Sequence, residues 1–558
     1  MYNIMFEDND ILEKFLNSRG IESVDRLNIE KVDIPSALEL GDAQLFIDQV
    51  VQDLKDKKRI TVVGDYDADG ICGTTVALRG LRIAAEALGV RPFINYVIPH
   101  RFNDGYGLSS GVIDKVLRQN PKTGSIITVD NGTVANEAVA YAKVKGLKVY
   151  ITDHHQGLPD PPNADAHVNP NKVGDSYPFK GICGAAVIYK LLREMAIQYF
   201  PEALDKIESL IDFVGVATVA DMMPVLEENR YYISESLDIF NGDSNHPLRF
   251  SWLAMIEYLT KINKVSRDQV FNEKDYGFTF GPILNAQSRV EGVADIAVDL
   301  FESKDTTDIR EKVEYMVSIN ERRKKISNEA FDRIDKDAYN DQFAIVIRDD
   351  SVGEGFIGLV AGKIAQYFDR PAVVFTKSKE GLKGSARSVE GVNLLELLRN
   401  IDQDIYVNVG GHSAAAGMTI HEDRFDDFVS QLNHEASLVI DPDRVWTPHF
   451  DFIIKNINEE DIDSINSLAP YGIGFERPVL RMEDMEINDI QLMGKENQHI
   501  KIKTDNNVDI IVWNANESLI DQAKKSNTVS MTGQPEINEF MGLKSIQVVV
   551  DERELELS

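Results

Sequence analysis

Four short runs dominated by Val and Ile, RITVVGD, RPFINYVI, SIITVD and LKVYITD, alternate with helical patterns between Arg59 and Asp153. Runs of this length without polar alternation read as strands buried on both faces. The stretches between them, ICGTTVALRGLRIAAEAL and TVANEAVAYAKV, carry helical spacing. Strand–helix alternation of this kind predicts a parallel sheet with helices on both faces, and hence an α/β protein. Three of the four runs end on an aspartate: Asp65, Asp130 and Asp153. In an open parallel sheet the carboxyl ends of the strands form the ligand-binding edge. The feature that sets the fold therefore also places three carboxylates at one edge.

The chain has 558 residues, room for three or four domains. Hydrophobic residues make up 43% and charged residues 27%, which excludes a disordered or fibrous chain. Helices are expected next, over AAVIYKLLREMAIQYF and, as a single helix, ALDKIESLIDFVGVATVADM. A long charged helix follows around TDIREKVEYMVSINERRKKISNEAFDRI, polar on most faces and free of Gly and Pro, as in a solvated bridge between domains. A second α/β unit has strands FAIVIRD and PAVVFTK flanking the helix IGLVAGKIAQYF. The stretch IDPDRVWTP reads as a boundary, and the short β patterns beyond it (HIKIKT, VDIIVWNA, TVSMTG, SIQVVVDE) predict a small all-β barrel or sandwich. Expected divisions are an N-terminal segment 1–45, a catalytic domain 46–300, a bridging helix 301–335, a second α/β domain 336–440 and a β-rich domain 441–558. Trp513 is expected in the core of that last domain.

Cys72 and Cys183 form no CxxC pair, which argues against a zinc ribbon or a disulfide scaffold. The N-terminus lacks a basic start and an apolar core, so no signal peptide is read, and no run of about 18 apolar residues occurs. The expectation is a soluble cytoplasmic protein. The net charge is −32, from 59 Lys+Arg against 91 Asp+Glu, a field that repels nucleic acid at long range. A nucleic-acid partner then requires local basic contacts or divalent cations at clustered carboxylates.

Gly64-Asp65-Tyr66-Asp67-Ala68-Asp69-Gly70 supplies such a cluster at the end of the first strand. A single Asp there would serve as a helix cap, but three alternate carboxylates repel one another unless a cation intervenes. Asp130-Asn131-Gly132 and Asp153-His154-His155 repeat the pattern at later strand ends, and Asp221 ends an apolar helix where an acid is disfavoured by the helix dipole. Carboxylates with imidazole suit Mn²⁺ or Mg²⁺, and two such ions clamp a phosphoryl oxygen and activate water. Farther on, Gly410-Gly411 before His412 would let backbone amides approach an anion, with a helix expected to start just after. Arg387 amid small residues would offer phosphate a two-pronged donor.

GDYDADG, VDNG, DHH and VADMMP, in that order, resemble the four phosphoesterase motifs of the DHH superfamily. Within it, His100-Arg101-Phe102-Asn103-Asp104-Gly105-Tyr106-Gly107-Leu108 and Gly281-Pro282-Ile283-Leu284-Asn285-Ala286-Gln287-Ser288-Arg289 are similar to segments of the RecJ group of single-strand-specific 5′→3′ exonucleases. KGSARS (383–388) and GGHSAAAG (410–417) resemble the associated DHHA1 domain, and PYGIGFERP (470–478) resembles the entry to that group's OB-fold. The chain departs from the group's usual pattern at Gly353-Glu354-Gly355-Phe356-Ile357-Gly358, which stands where a Trp-His pair is usual, and at Ser288 and Ala386, where the usual patterns have glycine.

The resemblance implies an α/β parallel-sheet DHH domain, a bridging helix, a DHHA1 domain and an OB-like barrel. It also implies two Mn²⁺ or Mg²⁺ ions on Asp67, Asp69, Asp130, His154 and Asp221, with Asp153 as support or further ligand. Asp65, His155 and His412 take catalytic parts. Arg289, Ser385, Arg387, Ser388, Gly410 and Gly411 bind substrate. The implied activity is degradation of single-stranded DNA from the 5′ end, in repair and recombination, by a monomer aided by a single-strand-binding protein. The alternatives are a phosphodiesterase for short oligonucleotides or cyclic dinucleotides, and a non-catalytic replication scaffold of the same fold. An OB-like domain argues against the first, and the intact Asp and His set against the second.

Overall fold

The computed structural model describes residues 11–441, 448–494, 497–540 and 543–558. The expected boundary stretch IDPDRVWTP falls mainly on 442–447, outside the described residues. The chain divides into two compact units, one of residues 33–223 and 231–444, the other of 1–32, 224–230 and 445–558.

The first unit holds a fully parallel sheet of β1 (Arg59–Val63), β2 (Ile94–Val97), β3 (Thr123–Val129), β4 (Lys148–Thr152) and β5 (Ala166–Val168), in the order β2-β1-β3-β4-β5. Alternate strand residues serve opposite faces. Ile60, Val62, Ile127, Val129 and Tyr150 join a large core with α1 (Ala68–Ala87), α2 (Gly184–Tyr199) and α3 (Ile211–Ala220). Val63, Ile126, Val149 and Ile151 pack instead against the helices Ser110–Gln119 and Asn136–Val144. Both faces are covered, which is why these strands read as continuous apolar runs. The strand order reverses at β1/β3, and a crevice opens there at the carboxyl ends. The helix expected across 203–222 is broken into Leu204–Glu208 and Ile211–Ala220, because Ser209 turns at the break and gives its hydroxyl to the Lys206 carbonyl.

Beyond α4 (Gly281–Glu291), the expected bridging helix is continuous as α5 (Thr306–Asp332). The second sheet has the order β6-β7-β8-β10-β9, from β6 (Ile345–Arg348), β7 (Ala372–Lys377), β8 (Leu382–Arg387), β9 (Tyr406–Gly411) and β10 (Ala415–Ile420). Only β6 and β7 are parallel, and α6 (Ile357–Phe368) packs on one face. The helix expected after Gly410-Gly411-His412 is absent. His412–Ala414 is a hairpin turn, closed by His412 N–H donating to the Ala415 carbonyl at 2.8 Å. Ser413–Ala416 are small enough for a helix, but pairing of β10 with both β8 and β9 wins over local propensity.

In the other unit, strands run in the order β16-β17-β14-β13-β12-β15-β18. These are β12 (Leu480–Met493), β13 (His499–Thr504), β14 (Val508–Val512), β15 (Thr528–Gly533), β16 (Pro535–Phe540), β17 (Leu543–Val549) and β18 (Leu555–Leu557), with β11 (Phe452–Ile453) beside β12. The helix Ile11–Ser18 buries Ile11, Leu12, Phe15 and Leu16 in this core, Phe15 lying 5.6 Å from the Phe475 ring. Arg230 locks the same unit by donating to the carbonyls of Leu27, Leu468 and Pro470 at 2.8–2.9 Å. Trp513 is not core. It follows the end of β14, is 52% exposed, and meets the His499 ring edge-on at 4.8 Å.

Candidate metal centre and phosphate pocket

Asp67 caps α1 by accepting from Gly70 N–H, so the loop after β1 swings Asp65 and Asp69 toward the sheet edge. Asp69, in the first turn of α1, accepts from Gly184 and Ala185 N–H at 2.6 and 2.8 Å, the first amides of α2. A helix N-terminus is favourable for a carboxylate, so this acid is pinned without a neighbouring cation. Asp130 ends β3 at φ +62°, and any Cβ on Gly184 would stand 2.6 Å from the Asp130 Cβ. Glycine there is what lets α2 close on the site. Asn131 ties the two central strands by donating to the Val63 and Val129 carbonyls at 3.0 and 2.9 Å.

Three groups of side chains bring one ligand atom each within 4.8 Å of the others: Asp65, Asp67 and Asp130; Asp69, His154 and Asp221; and Asp130, His154 and His155. His154 Nε2 lies 3.1 Å from Asp130, 3.4 Å from Asp221 and 3.7 Å from Asp69. Burial pushes the carboxyls of Asp65, Asp130 and Asp221 well above the usual range, and mutual repulsion among the aspartates adds to it. Burial likewise disfavours protonation of His154. Asp65 Oδ1, Asp130 Oδ1, His154 Nε2 and Asp221 Oδ2 are buried without a hydrogen-bond partner. Orphaned acceptors facing one another are costly, and a divalent cation satisfies them together. The donor set therefore fits two hard or borderline ions.

Asp153 is placed differently. Its oxygens accept from Thr133 N–H (2.9 Å), His154 N–H (2.8 Å) and His155 Nδ1 (2.7 Å), and it belongs to none of the three groups. Burial opposes its charge, but the His155 bond and charge hold its carboxyl below the ordinary range. The same bond raises the half-buried His155 to about 9 against burial. Three residues not singled out from sequence complete this corner. Tyr106 donates to the Asp130 carbonyl and contacts His155 at about 3.0 Å. Asn169 donates to Thr133 Oγ1 (2.6 Å) and the His155 carbonyl (2.8 Å), and Asn171 to the His154 carbonyl (2.6 Å). Tyr106 lies within a recognisable motif, whereas Asn169-Pro170-Asn171 after β5 reads only as a turn.

A cluster of opposite sign adjoins the acids. Burial lowers Arg289 to about 9, and the cations acting on it are Arg101, Arg323 and Arg387, with Asp67 opposing them. Arg387 donates to Ser385 Oγ and the Ala386 carbonyl. The glycine-rich departure at 353–358 fits closely here. A Cβ on Gly355 would stand 2.1 Å from the Arg289 carbonyl, and one on Gly358 3.0 Å from Arg387 Nη2. The first turn of α6, capped by no side chain, thus lies against Arg387 and Ser385. Ser388 spends its hydroxyl on the Val392 carbonyl at 2.7 Å. Gly411 sits at φ +151° with a Cβ position blocked by the Ala415 carbonyl at 2.5 Å, whereas the Cβ position of Gly410 is open. His412 is exposed at the hairpin tip, so an anion there would meet a turn rather than a helix terminus.

Family models match in three places: the DHH family, N-terminal domain, over 59–218, the DHHA1 domain over 340–437, and the RecJ OB domain over 451–552. The single-stranded-DNA-specific exonuclease RecJ of Bacillus subtilis is 30% identical over 559 residues, covering 97% of this chain and 67% of that protein. The protein of the same description from Haemophilus influenzae is 28% identical, covering 98% and 96%. Among solved structures, RecJ of Thermus thermophilus in complex with Mn²⁺ superposes with a TM-score of 0.79 at 23% identity, covering 98% of this chain and 75% of that one. An exonuclease RecJ bound to manganese gives 0.59 at 27% identity, over 73% and 98%.

Proposed function

Because the chain belongs to the RecJ family of the DHH superfamily, we propose that it is a metal-dependent exonuclease that degrades single-stranded DNA from the 5′ end. The observation that carries this reading is the juxtaposition of two clusters of opposite sign, orphaned carboxylates beside arginines that form no ion pair. Each lacks the partner that a divalent cation and a phosphorylated strand would bring.

Asp65, Asp67 and Asp130 would hold one ion, and Asp69, His154 and Asp221 a second, with Asp130 next to both. Mn²⁺ or Mg²⁺ so bound would lower the pKa of a water and offset charge developing on the phosphoryl oxygens. Asp153, with Asn169 and Asn171, fixes the turn that presents His154 and His155. His155, protonated on Asp153 and steered by Tyr106, donates to a phosphate oxygen and stabilises it electrostatically. Arg289, Ser385, Arg387 and the first amides of α6 take the 5′-terminal phosphate. The Gly410-Gly411-His412 turn and Ser388, just past β8, line the approach of the strand backbone. Hydroxide adds to phosphorus, the bond to the 3′ oxygen breaks, and a nucleoside 5′-monophosphate leaves. The shortened strand keeps a 5′-phosphate, the group the pocket recognises next.

The OB domain offers the strand a platform, on which single strands usually stack against aromatics beside a basic groove. No described helix is long and apolar enough to cross a membrane. A cytoplasmic setting, a monomeric state, a part in repair and recombination, and help from a single-strand-binding protein belong to the same reading and rest on family membership. One experiment tests the core of it: 5′-labelled and 3′-labelled single strands, a duplex and a dinucleotide, each with and without Mn²⁺. Release of labelled mononucleotide from the 5′ end of single strands alone is expected. Preferential cleavage of the dinucleotide would overturn it.

A further inference from the structure

A 5′-terminal phosphomonoester carries a charge of roughly −2 at neutral pH. The pocket proposed for it holds more positive charge than that. Arg101, Arg323 and Arg387 each act on Arg289, and among the described residues none of the four forms an ion pair. In a chain of net charge −32, four guanidinium groups left without carboxylates are unusual.

Two of the four are already oriented. Arg387 leans on Ser385 and the Ala386 carbonyl, and the Arg101 guanidinium lies 4.8 Å from the ring centre of Tyr66, which stands between Asp65 and Asp67 in the chain. Arg323 comes from elsewhere, the middle of α5, with Nε donating to Asn320 Oδ1 at 2.9 Å. Next to it stands Lys363, one residue past Gly362, whose own Cβ position is 4.0 Å from Arg387 Cγ. Lys363 donates to Asn328 on α5 and lies 5.9 Å from the Phe331 ring centre. The acids that face Arg323 and Lys363 are Glu321 and Asp332, and Glu321 already pairs with Lys264 and Lys324. The positive charge thus continues from Arg289 and Arg387 to Arg323 and Lys363, where α5 packs on α6.

We propose that this extension receives further phosphoryl groups, so that the pocket takes strands with a 5′-di- or triphosphate as well as a 5′-monophosphate. The α-phosphate would rest on Arg289, Arg387 and Ser385, and the outer phosphates on Arg323 and Lys363. Each phosphoryl added beyond the first brings about one more negative charge, which matches the cations left over. The inference rests on the reading of this pocket as the 5′-phosphate site. Hydrolysis is unchanged in bond terms: water oxygen joins the phosphorus between the first two nucleotides, the bond to the 3′ oxygen of the first breaks, and that nucleotide leaves with its triphosphate intact.

The test uses three strands of one sequence ending in 5′-hydroxyl, 5′-monophosphate and 5′-triphosphate. Affinity is measured without divalent metal, and the first product is identified by chromatography after adding Mn²⁺. The triphosphate strand is expected to bind about tenfold more tightly than the monophosphate strand, consistent with one or two added charge-assisted contacts. The first product from it should be a nucleoside triphosphate. Arg323→Gln, and separately Lys363→Gln, should shrink the gap between those two strands. A triphosphate strand that binds no better than the monophosphate, while the monophosphate still outbinds the hydroxyl, would overturn the extension and leave the pocket standing. Three strands bound alike would overturn the pocket itself, and the extension with it.

Discussion

The sheet edge and the arginine pocket are built from opposite materials, and the contrast explains how each is tolerated. At the edge, Asp65, Asp69, Asp130 and Asp153 are 1–2% exposed, and backbone amides of α2 and of the turn at Thr133 support Asp69 and Asp153. In the pocket, Arg289, Arg323 and Arg387 stay half-buried, and the partners of Arg323 and Arg387 are one carbonyl, a hydroxyl and an amide oxygen. Buried carboxylates without cations must take up protons or bind metal. Half-exposed guanidinium groups can stay charged and wait, at modest cost in mutual repulsion. One region therefore demands its ligand to be stable in its working form, and the other only gains from one.

Breaking the demanding side should have the largest effect. Asp130→Ala removes the carboxylate that adjoins two of the three ligand groups. Single-turnover cleavage in Mn²⁺ should fall by more than about a thousandfold, beyond the ten- to hundredfold typical of losing a supporting group outside the coordination shell. Without metal, the same variant should unfold at a higher denaturant concentration than the wild type, because repulsion among the remaining aspartates is relieved. A variant that kept near-normal cleavage would remove the two-ion assignment.

Breaking the waiting side should change preference more than chemistry. Arg387→Ala should cut the advantage of 5′-phosphorylated over 5′-hydroxyl strands by about tenfold to a hundredfold, the usual worth of a charge-assisted hydrogen bond. The salt dependence of binding should become shallower by roughly 0.7 per lost phosphate contact. Equal losses on both strands, together with a lower melting temperature, would make Arg387 a brace for β8 and α6 instead.

The two regions also differ in how far they could be read from the sequence. The edge was legible because a strand end and an aspartate coincide three times, twice with a glycine beside them, and period and turn chemistry are local properties. The uses of those acids were not. Asp153 looks like Asp130 in sequence, yet Thr133 N–H and His155 take its oxygens, and only the packed structure brings Thr133 there. The pocket was half legible: Arg289, Ser385 and Arg387 sit in short motifs, but Arg323 lies in a charged helical run that reads as solvated surface. The helix expected after His412 failed because strand pairing with β8, about thirty residues earlier, decides the conformation of Ala415–Ile420. Distance in sequence also hid the place of Ile11–Ser18, whose apolar face meets Tyr471 and Phe475.

A gentler break at the edge tests the supports rather than the ligands. Asn169→Ala removes the donor to Thr133 Oγ1 and to the His155 carbonyl, loosening the turn that presents both histidines. Mn²⁺ affinity measured by calorimetry should weaken by about tenfold, at the lower end for groups behind a ligand, and excess Mn²⁺ should restore most cleavage. Unchanged metal affinity would reduce Asn169 to a packing residue.

A pH-dependent effect lies deeper on the same side, at His167. Its ring is 4% exposed and sits against Thr133 Oγ1 at 3.2 Å, one step behind Asp153. Burial, with repulsion from Lys172, lowers it to about 4, so the folded protein holds it neutral where the unfolded chain, near 6.5, would protonate it. Between those values the unfolded state binds more protons, and stability rises with pH across that window. The contribution is fully present above about pH 6.5 and is lost as pH falls toward 4, at most about 3 kcal/mol. His167→Gln keeps a group able to accept from Thr133 but cannot titrate. Denaturant unfolding of the two proteins in saturating Mn²⁺ should therefore give stability curves that converge as pH drops from 7 to 4.5. Parallel curves would show that His167 is accessible enough to ionise in place, and that the wall behind Asp153 is wetter than its burial indicates.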